Sequence, residues 1–352
     1  MSTPIPPSSP IPPGSSSSQG PQPTVIVRTV RKGGWLAAAL AVLLCGSVLV
    51  NMLLITFTAQ QITATTETSS LTEQYVSGDK EASDRIAIVE IDGTIMSPFT
   101  ERTLKILKRI ENDANVKGIV LAVESPGGFV ADSQRIYDRL KALHETKGKK
   151  IYVSMGRLAA SGGYYVAMGA GPQGKIYAEP ATWTGSIGVI IPRYDVSKLA
   201  SDYGVKSEPL VTGPFKDALS PFKELSPEER EVWKAIMDES YNEFVRIIDE
   251  SREKLNWDQA KALATGQIYT AKQAVANGLV DGIKYRDDVV AELKEDLKLS
   301  KARVVRYTYP PSAVELLLGV SSRVTPRSLI SEFLDASVPR AMYFFGWHPN
   351  VQ

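Results

Sequence analysis

The chain has 352 residues, a net charge of +1 and one cysteine, Cys45. This length allows one or two domains with a sizeable core. The balanced charge argues against a nucleic-acid partner, and a single cysteine excludes a disulfide within the chain.

The first 33 residues are predicted to be a disordered cytoplasmic tail. Residues 1–24 hold eight prolines and seven serines but no charged side chain, a composition that cannot build a core. Arg28, Arg31 and Lys32 follow, and no acidic residue precedes Glu67. By the positive-inside rule, the tail is therefore expected to stay in the cytoplasm.

Residues 34–57 are predicted to form a transmembrane helix. They carry no charged side chain, and a bilayer-spanning helix needs roughly 20 residues. A cleaved signal peptide would have a shorter apolar core of about 7–15 residues. A buried helix of a soluble protein is seldom apolar on all sides. We therefore expect a single-pass protein of the cell (inner) membrane, with the chain after residue 58 outside the cytoplasm.

The remaining chain is predicted to contain a polar linker (58–84), an α/β domain (85–299) and a C-terminal extension (300–352) without an assigned role. Apolar strands alternate with helices in the domain, which is typical of a sheet covered by helices on both faces. The predicted elements are strands at 86–91, 119–123 and 151–155, and helices at about 104–110, 130–146 and 226–254. In the last helix, Val232, Ile236, Phe244, Ile247 and Ile248 are predicted to share one buried side.

Two glycine turns follow predicted strands and indicate an active site. One is Ser125-Pro126-Gly127-Gly128, and the other is Ala160-Ser161-Gly162-Gly163. Ligand sites in open α/β sheets lie at the carboxyl ends of strands, where both turns are expected. Ser161, between small residues at a strand–helix junction, is the candidate nucleophile. The N–H of Gly162 and that of Gly127 or Gly128 are candidate donors to an oxyanion.

A serine nucleophile needs a base, and the sequence favours a lysine over a histidine. The two histidines, His144 and His348, lack a setting that would orient an imidazole. Lys216 is flanked by apolar residues, and burial would lower the pKa of a lysine enough for it to act as a base. Asp217 argues against Lys216 unless its carboxylate points elsewhere. Ser186 is a third polar candidate, able to support the base or simply to cap a turn.

These fragments resemble the signal peptide peptidase A family of serine peptidases (S49), in its short single-repeat form. The resemblance runs from about residue 86 to residue 282. It rests on Glu124-Ser125-Pro126-Gly127-Gly128, Ala160-Ser161-Gly162-Gly163-Tyr164-Tyr165, Thr184-Gly185-Ser186-Ile187-Gly188-Val189, Lys216-Asp217 with Ser220-Pro221-Phe222, and Thr265-Gly266-Gln267-Ile268-Tyr269-Thr270.

The resemblance implies a Clp-protease/crotonase-type fold and a Ser–Lys dyad without metal or other cofactor. It assigns the nucleophile to Ser161, the general base to Lys216 and a supporting hydroxyl to Ser186. Gly162 and Gly128, with Gly127 as the alternative to Gly128, would form the oxyanion hole. The family resemblance further implies a homo-octamer in which neighbouring protomers share each dyad, and signal-peptide remnants as substrates at the membrane.

Three other functions stay open at this point. The chain could process one specific membrane protein, such as a stomatin-like partner, and a substrate profile would separate this from general clearance. It could be an acyl-CoA enzyme of the crotonase type, which an extracytoplasmic domain argues against. It could also be a non-catalytic scaffold, which the presence of both Ser161 and Lys216 disfavours.

Overall fold

The computed structural model describes residues 39–52, 71–309 and 342–344. It divides into two units, Met1–Ala64 and Thr65–Gln352. In the first unit, helix α1 covers residues 39–52, which are exposed. The predicted span at 34–57 is described only over α1, and the predicted tail lies outside the described residues. Within the described ranges, no helix combines the length and the apolar character that a membrane crossing requires.

The second unit is built around a mostly parallel sheet. In the described part of the chain, nine strands form this sheet in the order β1-β10-β2-β3-β5-β6-β9, with β7 beside β5 and β8 beside β7. Strands β1 and β10, and β7 and β8, pair antiparallel. The strands are β1 (Thr72–Gly78), β2 (Arg85–Asp92), β3 (Val116–Ser125), β4 (Gly127–Phe129), β5 (Lys150–Ala160), β6 (Ile176–Ala178), β7 (Trp183–Gly185), β8 (Ile268–Thr270), β9 (Gly282–Ile283), β10 (Arg303–Thr308) and β11 (Met342–Phe344). Strands β4 and β11 form a separate antiparallel pair.

The helices begin and end at recognisable signals. Helix α6 starts with a capping box in which Ser226 and Glu229 exchange hydrogen bonds, and Pro227 occupies its first turn. Helix α3 ends at Gly148, which has a φ of 61°. The helices are α2 (Phe99–Glu111), α3 (Val130–Lys147), α4 (Gly162–Ala167), a 3₁₀ turn (Met168–Ala170), α5 (Ser197–Asp202), α6 (Pro227–Ser251), α7 (Trp257–Leu263), α8 (Ala271–Ala276) and α9 (Arg286–Asp296).

The sheet buries an apolar cluster on each face. Alternate residues of β2 point in opposite directions, so Val89 joins the larger cluster and Ile88 the smaller one. Residues of α2, α3, α4 and α6 complete the larger cluster, and Leu293 of α9 lies in the smaller one. The predicted sheet with helices on both faces is confirmed. The predicted strands and helices correspond to β2, β3, β5, α2, α3 and α6.

Three details differ from the sequence predictions. Strand β1 lies in the predicted linker and β10 in the predicted extension, yet both belong to the sheet. Strand β1 is mostly exposed, and its backbone pairing with β10 keeps it in the sheet. Its sequence lacks the apolar pattern that would have predicted a strand. Helix α6 ends at Ser251, before the predicted Lys254. Its Val232 and Ile236 are 39% and 42% exposed, because only the second half of the helix packs on the core.

Candidate active site

Ser161 lies at the turn between β5 and α4. Its φ of 54° is rare for a residue other than glycine, and strain of this kind concentrates at functional sites. Its N–H donates to the carbonyl oxygen of Gly185 at 2.7 Å. Its hydroxyl is buried and has no hydrogen-bond partner among the described residues. A buried hydroxyl without a partner costs free energy, so this position is better explained by chemistry than by stability.

The end of β5 is aligned for this turn by an irregularity in its pairing with β3. The register moves from Val123 opposite Met155 to Ser125 opposite Ala159, so β5 carries extra residues at this point. Glu124 stabilises the extra residues of β5. Its carboxylate accepts hydrogen bonds from the backbone N–H and the Nε of Arg157, at 2.8 and 3.0 Å. The last residues of β5 are thereby free to pair with β7.

The first glycine turn lies against the start of α4. The Ser125 hydroxyl donates to the carbonyl of Gly93 at 2.6 Å and accepts from the N–H of Gly127 at 3.1 Å. A methyl group built on Gly162 would lie 3.0 Å from the nitrogen of Gly128 and 3.1 Å from the Cα of Gly127. Only glycines therefore allow these two backbone segments to approach so closely.

The hydrogen bonds of this turn separate the roles of Gly127 and Gly128. The N–H of Gly127 already donates to Ser125. The N–H of Ile95 donates to the carbonyl of Gly127 at 2.8 Å, and the carbonyl of Ile95 accepts from the N–H of Phe129 at 2.9 Å. Because backbone groups alternate along a strand, the N–H of Gly128 points away from Ile95. Gly128 and Gly162 are therefore the candidate oxyanion donors, and Gly127 supplies the shape of the turn.

Ser186 lies beside Ser161 at the same edge of the sheet. Ala160 and Gly185 are paired across β5 and β7, and each serine follows one of them. Ser186 also has a positive φ, of 50°, and is 7% exposed. Its N–H donates to the carbonyl of Gln267 at 2.7 Å, which fixes the backbone at this point.

Lys216 is not buried in the single chain, and this corrects the expected apolar setting. It is exposed in a surface turn, where its N–H donates to the carbonyl of Gly213 at 3.2 Å. The neighbouring Phe215 is 46% exposed, and in this turn only Ala218 is buried. The hydroxyl of Ser161 lacks any partner in the described residues, so the two groups are not hydrogen-bonded within one protomer.

The carboxylate of Asp217 pairs with a lysine other than Lys216. The proximity of Asp217 in the sequence therefore does not argue against Lys216 as the base. The Asp217 carboxylate binds the Nζ of Lys223 at 3.0 Å, and the same Nζ binds Glu229 at 2.7 Å. Hydrogen bonds to Glu229 and Asp217 raise the pKa of Lys223 above its ordinary value. Lys223 thus binds two carboxylates. The ion pairs of the described residues do not include Lys216.

Among the described residues, neither the histidine nor a group of metal-binding side chains forms an alternative catalytic site. His144 lies in the last turn of α3, where its ring packs against Gly171, and His348 lies outside the described residues. Within the described ranges, no cluster of three or more His, Cys, Asp or Glu residues could hold a metal.

Sequence reasoning missed one component of the site, strand β11. The sequence shows an aromatic C-terminal end, but nothing in it indicates where that end binds. In the structure, Tyr343 lies opposite Gly128 and is fully buried. Its ring stacks on Tyr165 with centroids 4.7 Å apart, and its hydroxyl donates to the carbonyl of Ser240 at 2.8 Å.

Two family models match the chain. The model of peptidase family S49 matches residues 144–300, and the Clp protease model matches residues 77–188. The second match supports a Clp-protease-like α/β fold for the sheet domain. A ClpP1 mutant of Listeria monocytogenes is 17% identical in sequence with a TM-score of 0.39, and the match covers 58% of this chain and 94% of that one.

Relatives of this chain come from several organisms. A protein of Enterococcus faecium named as a candidate signal peptide peptidase, SppA, is 34% identical over 68% of this chain and 72% of its own length. A candidate protease of Synechocystis is 39% identical over 58% of this chain and 71% of its own length. Protease 4 of Salmonella typhi is 33% identical over 72% of this chain but only 41% of its own length.

Proposed function

Since the chain belongs to peptidase family S49 and is a serine endopeptidase, we propose that Ser161 is its nucleophile and Lys216 its general base. The observation that carries the assignment to Ser161 is its buried, unpartnered hydroxyl on a strained strand–helix turn. The nitrogens of Gly128 and Gly162 lie beside this turn. Nucleophile and oxyanion donors thus occupy one small region.

The proposed reaction is acyl transfer to serine followed by hydrolysis. Neutral Lys216 takes the proton of Ser161, whose Oγ attacks the carbonyl carbon of a peptide bond. The N–H groups of Gly128 and Gly162 hold the negative oxygen of the tetrahedral intermediate. The C–N bond breaks as Lys216 gives the proton to the leaving amine, which leaves an ester on Ser161. Lys216 then takes a proton from water, whose oxygen attacks the ester carbon. The bond from that carbon to the Oγ of Ser161 breaks, Lys216 returns the proton to Oγ, and the new carboxylic acid leaves.

We further propose that Lys216 serves the Ser161 of a neighbouring protomer in a homo-octamer. Two observations support a shared dyad: Ser161 is buried without a partner, whereas Lys216 is exposed without an ion pair in the described residues. The chain segment that contains Lys216, residues 203–222, also exposes several large apolar side chains. Its exposed side chains include Tyr203 (82%), Leu210 (103%), Phe215 (46%) and Phe222 (47%). A neighbouring copy packed on this surface would bury Lys216 and lower its pKa.

The proposed substrates are signal-peptide remnants, cut at the membrane by an enzyme anchored through residues 34–57. Support comes from the charge-free apolar stretch of that segment and from the name of the Enterococcus faecium relative. The experiment compares cleavage of a fluorogenic signal-core peptide by the full chain, by S161A and by K216A. Lys206→Ala removes an exposed lysine of the same surface segment and is the matched control.

The shared dyad is tested by mixing the two inactive variants. Neither S161A nor K216A should cleave the peptide, whereas co-assembled protomers should recover part of the activity, because some neighbouring pairs then contain both intact residues. Full activity in K216A would place the base elsewhere. Inactive mixtures of correctly assembled protomers would place both dyad residues in one chain.

A further inference from the structure

Lys223 links the turn that carries Lys216 to the start of helix α6. Its Nζ lies 3.0 Å from a carboxylate oxygen of Asp217 and 2.7 Å from one of Glu229. The Glu229 side chain is only 4% exposed, and those of Asp217 and Lys223 are partly buried. Two carboxylates therefore share one ammonium in a partly dehydrated setting, where opposite charges attract more strongly than at an open surface.

Glu229 gives this network a fixed end. Its carboxylate accepts a hydrogen bond from the N–H of Ser226 at 2.9 Å, and its own N–H donates to the Ser226 hydroxyl at 3.2 Å. This capping box places Glu229 in the first turn of α6. The carboxylate that binds Lys223 is thus held by the helix itself.

Arg193 holds the same turn from the segment before α5, but it does not neutralise Asp217. Its Nη2 donates to the carbonyl of Ser220 at 3.1 Å and to the carbonyl of Lys223. Its Nη1 lies 3.4 Å from the carboxylate of Asp195. Among the described residues, Lys223 is the cation that pairs with the Asp217 carboxylate.

The carboxylate of Asp217 is a hazard for a lysine that must lose its proton. Asp217 directly follows Lys216 in the chain. A carboxylate within about 4–6 Å of a lysine favours the charged ammonium and raises its pKa. The ion pair with Lys223 draws the Asp217 carboxylate towards α6 and offsets its negative charge. Hydrogen bonds to Glu229 and Asp217 also raise the pKa of Lys223, so Lys223 stays charged where Lys216 must be neutral.

We propose that Lys223 is a positioning residue for the peptidase reaction, which keeps the carboxylate of Asp217 from pairing with Lys216 and so leaves Lys216 free to lose its proton. The proposal rests on the proposed function, because it concerns the base of the same active site. Lys223 acts through Asp217 rather than on the reacting atoms. Glu229 is the anchor that holds Lys223 in place.

The pKa of Lys216 can be measured without turnover in full-length, assembled S161A. Trace labelling of amines with acetic anhydride over a pH series, read by mass spectrometry, gives this pKa. Lys223→Met keeps an unbranched side chain but removes the cation, so the pKa of Lys216 should rise by about one unit or more. Asp217→Asn combined with Lys223→Met removes the carboxylate as well and should return the pKa of Lys216 close to its value in S161A alone.

The pH profile of kcat/KM in enzymes with Ser161 intact gives a second readout. In Lys223→Met the acid limb should move to higher pH, so that activity falls about tenfold below the limb and recovers at alkaline pH. Adding Asp217→Asn should restore the limb, and Lys223→Arg, which keeps the cation, should leave it in place. A merely structural role of Lys223 would lower activity at every pH, and Asp217→Asn would not reverse the loss.

Lys234→Met is the matched control for the removal of a lysine. Lys234 lies in the first half of α6, is exposed and pairs with Asp238 at 2.5 Å, so its loss should leave the acid limb in place. Thermal unfolding and the size of the assembly check each variant. If Lys223→Met does not fold, Lys223→Gln replaces it, because a neutral amide can still donate to the carboxylates without cancelling their charge. The same rise in the pKa of Lys216 is expected.

The outcomes separate this proposal from the proposed function. If the pKa of Lys216 is equal with and without the folded Lys223 variant, the positioning role fails, while loss of cleavage in K216A still supports Lys216 as the base. If K216A stays fully active, the proposed base is wrong. The labelling experiment then still decides whether Lys223 controls the pKa of Lys216 through Asp217.

Discussion

Ser161 and Ser186 follow directly after Ala160 and Gly185, which are paired across β5 and β7, and the N–H of Ser161 donates to the carbonyl of Gly185 at 2.7 Å. Both serines have a positive φ, 54° and 50°. The parallel ends of two neighbouring strands therefore set the two serines beside each other. Ser161 carries the proposed nucleophile, and Ser186 carries the hydroxyl that the family resemblance assigns to supporting the base.

Replacing Ser161 by alanine is expected to abolish peptidase activity without destabilising the fold. Loss of the nucleophile should reduce kcat by about 10³-fold or more. The lost hydroxyl is buried and unpartnered, so its removal should leave the free energy of unfolding unchanged or slightly higher. Peptide hydrolysis and urea unfolding measure the two effects. A clear loss of stability would show that the hydroxyl has a structural role.

Replacing Gly128 by alanine should impair both folding and activity. A methyl group at this position would overlap the carbonyl oxygen of Ile95 and lie 2.6 Å from its carbon. The turn must then shift, which moves a proposed oxyanion donor and should cost at least about 100-fold in kcat. Gly213→Ala is the control for stability, because an added methyl group there meets nothing within 4 Å. Equal thermal stability of the two variants would contradict the expectation.

The ion pair between the buried Arg252 and the half-buried Asp281 should contribute strongly to stability. The guanidinium binds the carboxylate through two hydrogen bonds of 2.9 and 2.7 Å, and the Arg252 side chain is 4% exposed. Arg252→Leu leaves the Asp281 carboxylate without its cation and should lower the free energy of unfolding by about 3–5 kcal/mol. The exposed pair of Lys198 and Asp202 is the control, since Lys198→Ala should cost less than about 1 kcal/mol. Urea unfolding at neutral pH compares the two.

Glu292 should make stability depend on pH in the acid range. Burial raises the pKa of this carboxyl, but hydrogen bonds from Lys175, Lys284 and Tyr177 outweigh it and lower the pKa to about 2. The unfolded chain, with its ordinary pKa near 4.5, binds the proton more readily than the folded one. The contribution of Glu292 is therefore complete above pH 4.5 and is lost as the pH falls towards 2.

The variant Glu292→Gln isolates this contribution. At neutral pH it should be less stable than the wild type by about 1 kcal/mol or more, and the difference should shrink between pH 4.5 and 2. The exposed Glu81→Gln is the control and should follow the wild type at every pH. Urea unfolding at a series of pH values provides the measurement. A difference that does not change with pH would show that the ionised carboxylate is not the source of the stability.

Local sequence was sufficient for the central elements of the sheet domain and for the position of the candidate nucleophile. Strands β2, β3 and β5 are apolar runs, and α6 begins with a capping box, so each is encoded by residues that are close in sequence. The small residues around Ser161 likewise marked the strand–helix junction that the structure shows. Strand β1 was not predicted, because its backbone partner β10 lies more than 200 residues away.

The sequence by itself determined the α/β class, the family and the candidate residues Ser161, Ser186 and the glycines, because short motifs and periodic apolar patterns carry that information. Tertiary structure alone decided three further points. Asp217 binds Lys223, Lys216 is exposed in the single chain, and Tyr343 pairs with Gly128 of the first glycine turn. Each point depends on which distant segments of the chain meet and in what register. The free energy of those contacts cannot be derived from the residues adjacent in sequence.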